Sequence, residues 1–391
     1  MKNILIVTKE YKHPSLPKVG GTGIFYKNLC AKLNDSGLSV KVFLITNNKY
    51  QIEDENVEIY AIKDIFKSNF ALEFIRSISG KIGLLNSLHN KIYLLEKRII
   101  KKKLGKWIKI NNYNFDIIET HDFDGLALSL PDNIPHIIRC HGSWTILKKY
   151  FGYQNVQSGR IFCEKQAFKN SKNIITVSKY SQKLNYETFN VYSKTIHNGI
   201  NVQDFTPDNT KIIEHSIFFV GTASKEKGFY TALETFRSIL EKEPQTTFHI
   251  IGNMTKQAEK TLALLDQNIR TQIIFYNYLE KNEIIEKIRK AHVLLYPSEG
   301  ETFGLALCEA MALRKPVICS GIEAFQEIIQ HQKNGIIAST KNDFIDAVEM
   351  IFSDNILSEK ISSNAENTIK TTYNLESTVF HTINYYNELL K

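Results

Sequence analysis

Two glutamates eight residues apart, Glu301 and Glu309, stand in the run Tyr296-Pro297-Ser298-Glu299-Gly300-Glu301-Thr302-Phe303-Gly304-Leu305-Ala306-Leu307-Cys308-Glu309-Ala310-Met311-Ala312. The glycine-flanked start reads as a loop and the stretch after Gly304 as a helix, so a ligand at that helix N-terminus can be met by both carboxylates. Carboxylates are strong acceptors for ribose and sugar hydroxyls. A phosphate would be held by the first-turn N–H groups of Phe303, Gly304 and Leu305 and by the helix dipole. The spacing alone also fits two solvated glutamates around an amphipathic helix.

A second group is Lys227 in Glu226-Lys227-Gly228, a few residues after Val220-Gly221-Thr222. A lysine beside a glycine loop can neutralise a diphosphate. If that diphosphate is a leaving group, negative charge gathers on it as the bond breaks, so a fixed ammonium favours the transition state over the ground state. The full G-x4-GK[ST] pattern of a P-loop nucleotide hydrolase is absent here. His141 follows the apolar residues 136–139 and precedes Gly142-Ser143-Trp144, which places it at the carboxyl end of a strand. His121 ends the neighbouring apolar run. Asp122-Phe123-Asp124 has the D-x-D form of some metal sites, but two aspartates in a strand-end loop are common by chance; Asp122 is instead a candidate for touching an acceptor.

These groups need a scaffold, and the hydrophobic pattern supplies two. A strand over 4–7, a loop over 12–23 with two prolines and three glycines, a helix over 24–33 and a strand over 40–45 make a βαβ unit. Apolar runs at 116–118, 136–139 and 173–177 continue a parallel sheet. The pattern begins again at Ile217-Phe218-Phe219-Val220-Gly221, with further strands at 247–251, 273–275, 293–296 and 316–319. The expected organisation is an N-terminal Rossmann-like domain over 1–205, a second over 206–374, and a last helix over 375–391 packing back on the first. Open α/β sheets bind ligands at the carboxyl ends of their strands, so a shared cleft is the expected place of function.

Composition is compatible with this and excludes other classes. With 391 residues, 43% of them hydrophobic, and 49 Lys+Arg against 41 Asp+Glu, the chain is neither disordered nor a single small module. The net charge of +8 is local: residues 63–112 carry twelve Lys/Arg against Asp64, Glu73 and Glu96. That segment also holds Phe66, Phe70, Phe74, Ile75, Ile78, Ile82, Leu84 and Leu85, a basic and apolar mixture suited to an anionic membrane surface, or to a lysine-rich solvated helix. No recognised nucleic-acid module accompanies it. The five cysteines are scattered, which indicates neither a disulfide framework nor a zinc site. No run approaches a membrane span or a signal peptide, so a cytoplasmic location, with peripheral contact to the inner face of the membrane, is expected.

The stretch from Glu301 to Glu309 resembles the E-x7-E motif of glycosyltransferase family 4, a retaining family of GT-B fold. Other landmarks follow the same order: Gly20-Gly21 before a helix, His141-Gly142, Val177-Ser178, Asn198-Gly199-Ile200 with Phe205 and Pro207, Val220-Gly221-Thr222 with Glu226-Lys227-Gly228, Pro316-Val317, and Glu327-Ile328-Ile329. Together they span nearly the whole chain.

The resemblance implies an α/β protein of two Rossmann-like domains facing each other across a cleft, the N-terminal one (1–205) binding the acceptor and the C-terminal one (206–374) the nucleotide sugar. It implies a retaining hexosyltransferase that moves a sugar from a nucleotide-diphosphate sugar to a glycan, lipid-linked or small-molecule acceptor, in surface polysaccharide or glycoconjugate synthesis. No metal or other cofactor is expected. Glu301 would contact the donor sugar, Glu309 the ribose and Lys227 the diphosphate, with His141 also on the sugar. Gly21, Gly221, Thr222, Tyr278, Thr302, Phe303, Gly304 and Leu305 would complete the donor site. Thr222 stands where many members have Arg, so either Lys227 and backbone amides suffice or another cation, Lys225, Arg314 or Arg139, substitutes. Asn201 and Thr302 also depart from the pattern. A nucleotide-sugar 2-epimerase of the same fold and a non-catalytic carbohydrate-binding homologue are the alternatives; a dinucleotide oxidoreductase is disfavoured because Gly20-Gly21-Thr22-Gly23 lacks the G-x-G-x-x-G register.

Overall fold

Ile4, Leu5, Ile6 and Val7 are all fully buried, as a continuous apolar run must be in a parallel strand covered on both faces. The computed structural model describes residues 1–80, 85–277 and 279–391. The chain divides into two units, Met1–Asn198 with Leu375–Lys391, and Gly199–Asn374.

The first unit runs β1 (Asn3–Thr8), α1 (Gly21–Asp35), β2 (Ser39–Thr46), β3 (Tyr50–Asp54), β4 (Val57–Lys63), α2 (Ile65–Ser68), α3 (Phe70–Ser79), α4 (Asn86–Ile110), β5 (Ile117–His121), a 3-10 turn (Phe123–Ser129), β6 (His136–Cys140), α5 (Trp144–Tyr150), α6 (Ser158–Asn170), β7 (Ile174–Thr176), α7 (Lys179–Phe189) and β8 (Lys194–Thr195). Its strands are ordered β3-β4-β2-β1-β5-β6-β7-β8. All pairings are parallel except the β3–β4 hairpin, closed through Glu55 and Asn56, both at positive φ (50° and 64°). That is the backbone a tight two-residue hairpin loop demands.

The second unit runs β9 (Ser216–Val220), α8 (Phe229–Lys242), β10 (Thr247–Ile251), α9 (Lys256–Ala263), α10 (Gln267–Arg270), β11 (Ile273–Tyr276), α11 (Lys281–Arg289), β12 (Val293–Tyr296), α12 (Leu305–Ala312), β13 (Val317–Ser320), α13 (Glu323–Gln326), β14 (Ile336–Ala338), α14 (Lys341–Ser353) and α15 (Asn355–Thr371). Its strand order, β11-β10-β9-β12-β13-β14, is wholly parallel and is the doubly wound order.

The last helix, α16 (Leu375–Leu389), belongs to the first unit. Its Leu375, Val379 and Tyr386 join Phe25, Leu29 and Leu33 of α1 in the core on one sheet face, while Ile100, Leu104 and Trp107 of α4 and Phe168 of α6 fill the other. Residues Gly199–Phe205, assigned above to the first domain, lie in the second unit. Ile200 N–H donates to Tyr373 O at 2.8 Å, and Lys281 pairs with Asp204 (2.6 Å) over the Phe205 ring (5.1 Å).

In each sheet the strand order reverses once at the first strand, between β1 and β5 and between β9 and β12. Crevices open beyond the carboxyl ends of such strands because the connecting helices depart to opposite faces there.

Candidate active site

At the second switch point, the loop after β9 carries Lys227 and the loop after β12 carries Glu301, and the Lys227 ammonium donates to the Glu301 carboxylate. Ser298 Oγ also donates to Glu301, at 3.4 Å. Glu299 N–H donates to Glu226 O at 2.9 Å, which ties the two loops together. Glycine is obligatory at 228: its φ is +71°, and a Cβ there would stand 1.9 Å from Pro297 O. Any side chain would push the lysine loop off the glutamate loop. Side-chain exposures of 36% for Lys227 and 20% for Glu301 leave the pair open to a ligand.

The α12 N-terminus follows at once. Gly304 caps it at φ +111°, and a Cβ there would meet the Phe325 ring at 2.6 Å. Phe303 is buried against Tyr373, its ring centroid 5.8 Å away, so it faces the core and only its backbone can serve a ligand. Thr302 and Leu305 are half-buried beside it. On the helix, Glu309 is half-buried, and burial pushes its carboxyl up to about 7. Gly221, at φ +147°, and Thr222 close the end of β9. Tyr278 lies outside the described residues. Of the cations proposed to stand in for the missing Arg at 222, two are committed elsewhere. Arg139 is fully buried against Glu119, and Arg314 pairs with Glu359; Lys225 remains exposed in the lysine loop.

In the first unit, Gly21 opens α1 and that helix brings Phe25 and Tyr26 edge-on to the His141 ring, at 4.9 and 5.7 Å. Burial, and then the nearby Arg139 charge, hold the His141 imidazole far below its usual value, so it is neutral. His121 is buried as well and falls to about 3; its Nε2 accepts from Lys9 N–H at 3.1 Å, which puts its proton on Nδ1.

Asp122, the candidate for an acceptor contact, has its carboxylate engaged by the backbone. It is 2% exposed, and its two oxygens accept from the N–H groups of His141 and Gly142, each at 3.0 Å. It fixes the loop that carries His141. Asp124 of the D-x-D stretch is held instead by Lys9 (2.9 Å) and Arg160 (3.3 Å), so the two carboxylates serve different partners. Glu164 of α6 was not singled out in the sequence. It accepts from the N–H groups of Asp124 (3.0 Å), Trp144 (3.0 Å) and Thr145 (2.9 Å) and from Thr145 Oγ1 (2.6 Å), which binds the 3-10 turn to the start of α5.

Comparison with known proteins decides the family. The model for glycosyltransferase family 4 matches residues 19–204, and that for glycosyl transferases group 1 matches 206–368. The chain belongs to glycosyltransferase family 4. This family 4 chain is 27% identical to an uncharacterized glycosyltransferase of Methanocaldococcus jannaschii, over 98% of its own length and 97% of the relative's. It is 27% identical to the O-antigen chain mannosyltransferase RfbU of Salmonella typhimurium, over 43% of its length and 47% of the relative's. The Anabaena protein HepE, solved with UDP and glucose, superposes with a TM-score of 0.69 at 14% identity, covering 97% of this chain and 98% of that one. The fold of this glycosyltransferase is GT-B. Among its described residues no helix is long and apolar enough to cross a membrane.

Proposed function

We propose that this glycosyltransferase is a retaining, metal-independent hexosyltransferase that uses a nucleotide-diphosphate sugar and acts in surface polysaccharide or glycoconjugate synthesis. The observation that carries the reading is the half-exposed Lys227–Glu301 pair beside the α12 N-terminus, at the switch point of the second sheet. Lys227 and the first N–H groups of α12 meet the diphosphate, Glu301 the sugar hydroxyls and Glu309 the ribose hydroxyls. As the bond to the diphosphate breaks, the ammonium and the helix dipole oppose the growing charge, which is the work a divalent cation does in other transferases.

Retention without a covalent intermediate follows from front-face substitution. The acceptor hydroxyl forms its bond to the anomeric carbon on the side from which the diphosphate leaves, and a phosphate oxygen takes the hydroxyl proton. Double displacement would need a carboxylate nucleophile beneath the anomeric carbon, whereas in this reading Glu301 accepts from hydroxyls of the donor sugar. The neutral His141, held in place by Asp122 and the Phe25 and Tyr26 rings, is suited to hydrogen-bonding a sugar hydroxyl rather than to carrying charge.

The exposed face of α4 supports an anionic membrane surface as a partner. Lys91, Arg98, Lys102, Lys106 and Lys109 recur at helical spacing on one exposed stripe, and none is ion-paired among the described residues. An anionic bilayer gains about 1 kcal/mol per such cation near its surface.

The test is turnover of a nucleotide-sugar panel with acceptor glycans, with and without EDTA, and proton NMR of the product anomer. Transfer with the donor's anomeric configuration kept, unaffected by EDTA, is expected. Loss of turnover in EDTA restored by Mn²⁺, or inversion at the anomeric carbon, would refute the mechanism. Formation of an epimeric nucleotide sugar with no acceptor present would refute transfer itself.

A further inference from the structure

In the first unit a cavity of about 770 Å³ is lined by Lys9, Asp64, Phe66, Phe70, Glu73, Arg76, Asp124 and Arg160. That volume suits a one- or two-sugar ligand. Its lining is three cations, three carboxylates and two phenylalanines. Each cation is already committed: Lys9 to Asp124 and Glu96, Arg160 to Asp124, and Arg76 to Glu73. Burial works against the Lys9 charge, yet Asp124 and Glu96 outweigh it, and Lys9 and Arg160 likewise hold the buried Asp124 carboxyl well below the usual range. A neutralised lining of this kind offers no net attraction to an anion. It offers donors and acceptors side by side, which is what a neutral ring bearing several hydroxyls needs.

Two further observations point to a ligand. Asp124 is 6% exposed and Arg76 is half-buried; among the described residues Arg76 Nε is a buried atom that makes no hydrogen bond, and Asp124 Oδ1 has only its 3.3 Å ion pair with Arg160. Asp124 also sits at φ +61°, a conformation that costs a non-glycine residue about 1 to 3 kcal/mol. The backbone pays this strain where Asp124 turns into the cavity wall.

The wall on one side is α3, and α3 has two faces. Glu73 and Arg76 look to the cavity. Phe70, Phe74, Ile75 and Ile78 are exposed by 85, 55, 42 and 39% on the other side of the helix, with the Phe70 and Phe74 rings stacked 6.3 Å apart. Phe70 belongs to both sets, so the apolar strip begins at the cavity's own rim. Ile82 and Leu84, which extend this apolar run in the sequence, lie outside the described residues.

From this continuity we infer that the cavity is the acceptor site, and that the acceptor is an amphiphile. A neutral sugar sits among Glu73, Arg76, Asp124 and Arg160, and an apolar aglycone runs out over Phe70, Phe74 and Ile78. The inference rests on the glycosyltransferase reading and narrows its acceptor to lipid-linked saccharides.

The experiment compares n-decyl with methyl glycosides of glucose, galactose, mannose and N-acetylglucosamine, below micelle-forming concentrations and without membranes. Binding is read by titration calorimetry and by the fluorescence of Trp144, whose ring lies 5.0 Å from the Arg160 guanidinium. For at least one sugar the decyl glycoside should bind about tenfold or more tighter than the methyl glycoside, from burial of two or three methylenes. The exposed double substitution Phe74→Ser/Ile78→Ser should abolish that preference and leave methyl-glycoside binding as it was. Glu73→Gln should weaken both ligands alike, by about fivefold, through a lost acceptor.

Equal binding of decyl and methyl glycosides, a decyl preference that survives Phe74→Ser/Ile78→Ser, or binding of neither ligand would each overturn the inference. So would flotation of wild-type protein, and not the double variant, with acceptor-free phosphatidylcholine/phosphatidylglycerol vesicles, which would give the α3 face to the bilayer itself. Thermal-shift binding of nucleoside diphosphates in the same samples keeps the failures apart. Absence of nucleotide binding would remove the transferase reading, whereas its presence without a decyl preference removes only the amphiphilic acceptor.

Discussion

Replacing Glu301 by Gln should tighten binding of a bare nucleoside diphosphate while lowering turnover. In the unliganded protein the Lys227 ammonium is donated to Glu301, and a diphosphate must share or win that ammonium. Glutamine keeps the size and one carbonyl acceptor but removes the competing charge. With the lysine 36% and the glutamate 20% exposed, the pair is screened by water, and an exposed pair of this kind is worth about 0.2 to 1 kcal/mol. Releasing the lysine should therefore lower the Kd for the best-binding diphosphate by about 1.5- to 5-fold. Turnover moves the other way, because the donor-sugar hydroxyls lose a charged acceptor, and a drop of about 10²-fold or more in kcat is expected. Isothermal titration of UDP, GDP and ADP against wild type, Glu301→Gln, Lys227→Ala and the double variant closes the cycle. Lys227→Ala should weaken the diphosphate in both backgrounds, and the gain from Glu301→Gln should vanish when Lys227 is absent. If Glu301→Gln weakens the diphosphate, or the gain persists without Lys227, the two residues do not compete as described.

Burial pushes the Glu164 carboxyl up to about 8, so at pH 9, where four donors face an ionised carboxylate, Glu164→Gln should cost about 2 to 4 kcal/mol, because an amide turns one of its own donors toward them. Differential scanning calorimetry should show a melting point lowered by roughly 5 to 15 °C; an unchanged melting point would contradict it. Tyr386→Phe removes the hydroxyl that donates to buried Glu119 at 2.6 Å and should cost about 1.5 to 3 kcal/mol by urea unfolding, with a loss under 0.5 kcal/mol counting against the network. Burial lifts the Glu309 carboxyl to about 7, so its ionised form, the better acceptor for ribose hydroxyls, gains population as pH rises through 7. Diphosphate affinity should rise between pH 6 and 8 more steeply in wild type than in Glu309→Gln, a comparison that cancels the titration of the phosphate; parallel pH profiles would remove Glu309 from the site.

The residues of the candidate site in the second unit were legible because they are local to strand ends. Lys227 and Glu301 each follow a strand whose apolar run is plain in the sequence, and parallel order then brings their loops together. What was not legible depends on distant partners. Asp122 resembles a cleft carboxylate until β6 lies beside β5 and offers it two N–H groups from residues 19 and 20 positions later. Glu164 left one signal: an acid on the buried stripe of Gly159, Cys163, Ala167 and Phe168, where a charge must have donors waiting. The β3–β4 hairpin escaped because Glu55 and Asn56 fill a turn that usually announces itself with glycine. The first unit ends at Asn198, a few residues before the expected division at 205, because Asp204 and Phe205 pack with Lys281, some 77 positions on; the two family models meet at the expected place, between 204 and 206.

Each sheet sets a lysine after its central strand against an acid beyond the strand across the switch point: Lys9 with Asp124, and Lys227 with Glu301. The two pairs differ in burial, and burial decides what they can do. Lys9 and Asp124 are 19 and 8% exposed and are backed by Glu96, Lys97 and Arg160, so removing one partner would strand a buried charge at about 3 to 5 kcal/mol. A ligand of the first unit must bind around that pair and take hydrogen bonds from its rim. The Lys227–Glu301 pair costs about 1 kcal/mol or less to open, so an anion can enter it and claim the ammonium. On the proposed reading the same topological position serves a neutral polyol in one unit and a leaving diphosphate in the other, and the depth of one ion pair separates the two uses.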